Sequence, residues 1–194
     1  MADTRQRILT AATDLMRSRG YRGTGLKDIT TTAVATTGSL YHFFPGGKEE
    51  LVCAAIRVDG AAHEALFLDL AGQASTPGEA IAAFFSQAAD ILEATDYVDL
   101  CPIGTIAGEI ASTSPQIRVA CDDVFAGWQR MITTELAEYG LDVGDATELS
   151  ATVVAALLGG FLFVRTRRCG TPLRDAGHHL RELIDHRLAS TRSP

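Results

Sequence analysis

The chain has 194 residues, 46% of them hydrophobic, enough for one large domain or for a small domain joined to one of ordinary size. That composition excludes a disordered or low-complexity protein. A net charge of −7 conceals a gradient: residues 1–50 carry +2, residues 51–164 carry −13 and residues 165–194 carry +4. A basic head on an acidic body suits a molecule that meets a polyanion by one end, although seven basic residues in fifty is also ordinary surface composition. Cys53, Cys101, Cys121 and Cys169 are dispersed, with no C-x-x-C pair. The N-terminus leads into an amphipathic pattern, and the longest apolar run, residues 153–164, falls short of the ~20 residues that span a bilayer. The expectation is a cytoplasmic protein without membrane contact, cofactor or metal, its thiols buried or inert.

Apolar residues recur at helical spacing nearly everywhere, and no segment sustains a period of two. A first helix is predicted over 4–19, with Ile8, Leu9, Ala12, Leu15 and Met16 in one stripe and Gly20 as its stop. Short helices follow near 26–33 and 37–43, the second capped by Thr36, and Pro45-Gly46-Gly47 ends it. A long helix starts at Lys48 and carries Leu51, Ala55, Val58, Ala62, Leu66 and Leu70 at three- and four-residue steps. Thr76-Pro77-Gly78-Glu79 combines a capping box with proline at the first helical position, opening a helix to about 94. Cys101-Pro102, Ser114-Pro115 and Thr171-Pro172 repeat that grammar and open helices near 103–112, 115–139 and 172–189, and one more helix is predicted near 145–168. The fold class is therefore all-α, with nine helices and an N-terminal three-helix helix-turn-helix.

Two short helices about three residues apart, after a longer amphipathic one, is the tri-helical helix-turn-helix arrangement. Its second short helix must present small, hydrogen-bonding side chains to enter the major groove, about 12 Å wide, and Thr36, Thr37, Gly38 and Ser39 suit that. Leu40 and Phe43 or Phe44 face back into the domain, while Tyr41 and His42 reach toward phosphates. Lys48, at a helix start, places an ammonium beside free backbone N–H groups, a phosphate site. For an isolated Tyr-His pair, plain helix packing would be the default reading.

Residues 24–51 resemble the signature of the TetR family of repressors at Thr24, Asp28, Ile29, Ala33, Gly38, Leu40, Tyr41, Phe44, Lys48 and Leu51. Residues 44–49 (Phe-Pro-Gly-Gly-Lys-Glu), with Cys101-Pro102-Ile103, resemble the LmrA/YxaF-like branch of multidrug-efflux and antibiotic-resistance regulators. The resemblance implies a DNA-binding domain over 1–47 and a helical ligand-binding and dimerisation domain over 48–194. It also brings Thr24 into the expected DNA-binding set. Two positions depart from the pattern. Val34 stands where the family has a turn glycine, so the turn needs another backbone solution or a longer first helix. Thr37 replaces a frequent basic residue, which shifts affinity toward Lys27, Lys48 and the region of Arg22.

In that family the later helices enclose an inducer. Trp128 and Phe125 are then the first candidates for an aromatic cavity, with Phe67, Phe84, Gln87, Ile106, Ile110 and Met131 behind them. Most aromatics in a helical domain are simply core. Glu109 or Asp90 could meet a cationic ligand. The last two helices carry more apolar surface than one small domain covers, and Val153, Leu157, Phe161, Leu180, Ile184 and Leu188 are assigned to a two-fold dimer interface. His178, His179 and His186 invite a metal, but no further ligand completes a set. An enzyme finds no support, since no catalytic motif is present; a structural DNA-binding protein would be basic throughout. The expected partners are double-stranded operator DNA, a small-molecule inducer and a second copy.

Overall fold

The structure, a computed structural model, describes residues 3–99 and 101–191. Nine helices and no strand are present among the described residues. They are α1 (Thr4–Arg19), α2 (Leu26–Thr32), α3 (Thr37–Phe43), α4 (Gly47–Gln73), α5 (Pro77–Ala94), α6 (Pro102–Ile110), α7 (Pro115–Glu138), α8 (Val143–Arg167) and α9 (Thr171–Thr191). The boundaries follow the capping residues. Thr36 accepts the Ser39 N–H at 3.0 Å, Thr76 accepts the Glu79 N–H at 3.2 Å, and Asp142 accepts the Gly144 N–H at 2.8 Å. Glu79 reaches back to the Ser75 N–H, and Pro77 stands in the first turn of α5. Glycine at φ 67° ends α1 at Gly20, whereas α8 ends on a left-handed Arg168.

The chain forms two compact units, Met1–Ala61 with Asp99–Val124, and Ala62–Val98 with Phe125–Pro194. A cut at residue 47 therefore does not follow compactness. The first unit also takes in the first half of α4, all of α6 and the first part of α7. Its core is Ile8, Met16, Ile29, Leu40, Phe44, Leu51, Ile56, Ile103 and Ile106, all essentially fully buried. Arg17 on α1 grips the buried Asp59 on α4 through Nη2 at 2.5 Å and Nε at 3.2 Å. Cys53, Cys101 and Cys121 are buried in this unit, and burial pushes the Cys101 thiol up to about 12 and the Cys121 thiol to about 11.

In the second unit α5 and α9 lie side by side and α8 packs on α9. Gly160 permits that second contact: a Cβ there would stand 2.5 Å from Leu173 Cδ2. By length and composition α8 is apolar enough to cross a membrane, and 39% of its most apolar stretch is buried inside the protomer. Ion pairs fasten α9 to α5. Arg174 holds Glu93 at 2.7 Å and Asp90 at 2.5 Å, and Glu93 also accepts the Gly170 N–H at 2.9 Å.

Those bonds from Arg174 and Gly170 hold the Glu93 carboxyl down at about 2. A carboxylate depressed in the folded state stabilises the fold fully above its unfolded pKa, and that contribution is lost as pH falls toward the folded value. Stability should therefore fall between about pH 4.5 and 2, and Arg174→Met should flatten that part of a Tm-against-pH curve. An Arg174→Met curve parallel to wild type would show that the latch is not what titrates.

Candidate DNA interface and apolar cavity

The recognition helix α3 has an inner and an outer face. Leu40 and, just past the helix, Phe44 are buried, and Arg5 covers the Phe44 ring at 5.3 Å. Thr37, Gly38, Tyr41 and His42 are exposed, as is Lys27 on α2. Thr37 with Tyr41, and Gly38 with His42, make two i,i+4 pairs on the outer face. Thr36 and Ser39 are partly engaged with each other, since Thr36 Oγ1 lies 2.9 Å from Ser39 Oγ while it caps the helix. Gly38 is not required by packing, because a Cβ there would meet nothing closer than Thr36 Oγ1 at 3.7 Å.

Two of the expected DNA contacts have partners within the protomer. Thr24 is completely buried, and its hydroxyl donates to the Gly20 carbonyl at 2.8 Å. It closes the α1–α2 turn and has no surface to offer a phosphate. Lys48 turns inward, its Nζ donating to the Tyr21 carbonyl at 2.6 Å and standing 4.0 Å over the Tyr21 ring. Burial pulls its pKa down, with the Glu109 carboxylate opposing that shift. Its ammonium thereby ties the start of α4 to the α1–α2 turn. Glu109 of α6 meets the same turn, accepting the Arg22 N–H at 2.8 Å.

The turn before α3 uses the residue that departs from the family pattern. Val34 itself takes the left-handed conformation, at φ 49°, and α2 is not lengthened. Arg7 donates from Nε to the Ala33 carbonyl at 3.1 Å. No periodicity in the sequence links position 7 to position 33.

A cavity of about 30 Å³ lies inside the second unit, lined by His63 and Phe67 of α4, Ile81, Phe84 and Phe85 of α5, Trp128, Met131 and Ile132 of α7, and Val153, Val154 and Leu157 of α8. Phe67 and Phe84 meet edge to face at 5.9 Å, and Trp128 lies 5.6 Å from His63 and 5.7 Å from Phe125. Phe67, Phe84, Trp128 and Met131 thus line the cavity as expected. The other four candidates do not. Phe125 touches Trp128 from outside the lining, and Gln87 faces an open surface groove with Ser86 and Ile91. Ile106 is core of the first unit, and Ile110 ends α6 in that same unit. Neither proposed counter-charge reaches the cavity: Asp90 is held by Arg174 and Glu109 by Arg22.

The residues assigned to the dimer interface, Val153, Leu157, Phe161, Leu180, Ile184 and Leu188, are all buried within the protomer, where this chain's own packing covers most of their surface. Val153 and Leu157 are also cavity wall. The apolar residues that α8 leaves open are Val143 and Ala151 in its first half and Ala155, Leu162 and Phe163 further on, the last two 63% and 57% exposed, with Leu183 on α9.

Comparison with known proteins decides the family. Residues 8–55 match the family model "Bacterial regulatory proteins, tetR family", and residues 77–179 match "Transcriptional regulator LmrA/YxaF-like, C-terminal domain". The helix-turn-helix regulator YxaF of Bacillus subtilis is 35% identical over 171 residues, 88% of this chain and 90% of that protein. The chain belongs to the TetR family of DNA-binding transcriptional regulators. LmrA of the same organism is 34% identical, over 88% of this chain and 91% of that protein. A TetR regulator from Legionella pneumophila has the same fold, with a TM-score of 0.79 at 26% identity, covering 96% of this chain and 97% of that one.

For this TetR-family head two outcomes are expected. Lys48→Ala should lower stability by about 1 kcal/mol, from one lost hydrogen bond to a charged group and one ring contact, while the salt slope of DNA binding stays unchanged. A slope lowered by one would put Lys48 on a phosphate. Gly38→Ala should raise stability by roughly 0.5–1 kcal/mol, as alanine does inside a helix, yet weaken DNA binding because the added methyl blocks close backbone approach. Unchanged affinity in a binding titration would remove Gly38 from the interface.

Proposed function

We propose that this protein is a ligand-responsive repressor of the cytoplasm, which binds a palindromic operator as a homodimer and is released by a small, mainly apolar inducer. The observation that carries the reading is an apolar cavity, walled by four helices, on the same chain as an exposed polar recognition helix. Thr37, Gly38, Ser39, Tyr41 and His42 are the groups we assign to DNA, with Lys27 adding charge and the Thr36 cap fixing the first turn. Thr37 and Ser39 are placed on base edges, Tyr41 and His42 on phosphates.

At about 30 Å³ the cavity holds roughly one water, whereas ligand pockets usually measure about 300–1,000 Å³. An inducer must therefore spread the wall, and Met131, an unbranched and flexible side chain, is the lining residue that yields most easily. α4 carries Lys48 near its start and Phe67 toward its other end, so one helix runs through both units. A ligand that displaces the Phe67 end shifts the population toward heads wrongly spaced for two half-sites, with a coupling of about 1–3 kcal/mol.

The open stripe Ala155, Leu162 and Phe163 of α8 is where we place the second copy, and Gly159 beside it has nothing within 4 Å of where a Cβ would stand. A lipid surface is the other occupant such a stripe fits.

Two measurements test the proposal. Trp128 is the sole tryptophan and stands in the cavity wall, so an apolar ligand that releases DNA should shift its emission, with the same affinity as release. Release with no change at Trp128 would place the ligand elsewhere. Leu162→Glu with Phe163→Glu should give folded monomers in sedimentation, whereas Phe161→Glu, inside the protomer, should unfold the chain. A dimer that survives the double change would move the interface to another face, and vesicle binding lost by the same change would favour lipid.

A further inference from the structure

The α2–α3 turn contains a combination that packing does not reward. Val34 is β-branched, sits at φ 49° and is 83% exposed, so it bears left-handed strain without burying its side chain. Helices usually place glycine there. The backbone around it is a complete Schellman closure: the Ala35 N–H donates to the Thr30 carbonyl at 2.9 Å and the Val34 N–H to the Thr31 carbonyl at 3.2 Å. The carbonyls of Ala33 and Val34 remain, and both accept from the one guanidinium of Arg7, at 3.1 Å from Nε and 3.5 Å from Nη2. A cation at the C-terminal end of α2 is also favoured by the carbonyl dipoles there. Thr36, two residues beyond Val34, starts the cap of α3, so the direction in which α3 leaves α2 is set at this turn.

From these contacts we infer that Arg7 is a positioning residue for DNA recognition. By holding the Ala33 and Val34 carbonyls it keeps a strained valine turn in the one conformation that aims α3, doing for this chain what a turn glycine would do unaided. The inference rests on the DNA-binding reading above and names a residue, on α1, that none of the outer-face groups of α3 implies.

A four-member cycle in the full chain tests it: wild type, Arg7→Gln, Val34→Gly and the double variant, with Arg7→Lys as the conservative control. Each is titrated with a duplex that the wild type has selected from a randomised pool, and with an unselected duplex, over a range of salt. Arg7→Gln should weaken the selected duplex about tenfold or more, leave the unselected duplex and the salt slope nearly unchanged, and be restored in large part by adding Val34→Gly. Arg7→Lys, which keeps the charge and one donor direction, should fall between wild type and Arg7→Gln. A salt slope lowered by about one, with both duplexes weakened equally, would make Arg7 a phosphate contact and overturn the inference. Additive losses in the double variant would overturn it as well. If the wild type selects no duplex, the regulator reading fails, and thermal midpoints of the same proteins still decide the inference. Arg7→Gln should lower the midpoint, Val34→Gly should raise it, and the Arg7→Gln loss should shrink in the Val34→Gly background. Midpoint shifts that simply add would refute the coupling.

Discussion

The α1–α2 turn is the point on which the DNA-binding unit depends, because α4 and α6 both fasten to it. Gly20 is left-handed and buried, and a Cβ at that position would stand 1.9 Å from Glu109 Oε1, so only glycine admits the carboxylate. Glu109 takes the Arg22 N–H, Lys48 takes the Tyr21 carbonyl, and Thr24 takes the Gly20 carbonyl. Two polar groups of a tight connection, the Arg22 N–H and the Tyr21 carbonyl, thereby find partners on α6 and α4. The Arg17–Asp59 fork adds a second tie between α1 and α4, and removing Arg17 would take the guanidinium from a buried carboxylate. A short three-helix head has little core of its own, and these polar ties give it a rigid base.

The helices were legible in the sequence because caps are local. Thr36, Thr76 and the prolines at 77, 102 and 115 act within one turn, and a reading one turn wide finds them. The outer face of α3 was legible for the same reason. The internal contacts of Thr24 and Lys48 were not legible, because a match to a DNA-binding signature marks a position without saying whether it holds the turn or touches the ligand. α8 was only partly legible, for a different reason. It is apolar on two faces, so periodicity identifies two stripes and cannot say which one the protomer itself covers. The contact of Arg7 with residue 33 joins distant parts of the chain and leaves no pattern in either segment.

The cavity has a thermodynamic character as well as a location. Its lining is apolar and closely packed, so its emptiness is slight and its collapse costs the free protein little. Any guest that enlarges it must break contacts among aromatic side chains and replace them with its own. Selectivity then depends on bulk and shape more than on directional hydrogen bonds, since His63 is the one ionisable side chain in the wall.

The adjacent glycines of α8 divide the consequences of mutation along that helix. Gly160 lies under Leu173 of the same chain, while Gly159, one residue earlier, looks into open space. A methyl at 160 is met at once by the folding chain, and the protein pays in its own packing density before it is ever assembled. A methyl at 159 is invisible to that chain and is felt only by whatever comes to lie on the helix from outside. Substitutions at neighbouring codons therefore have separable consequences, one met by the folding chain itself and the other reserved for any partner that would lie on this face.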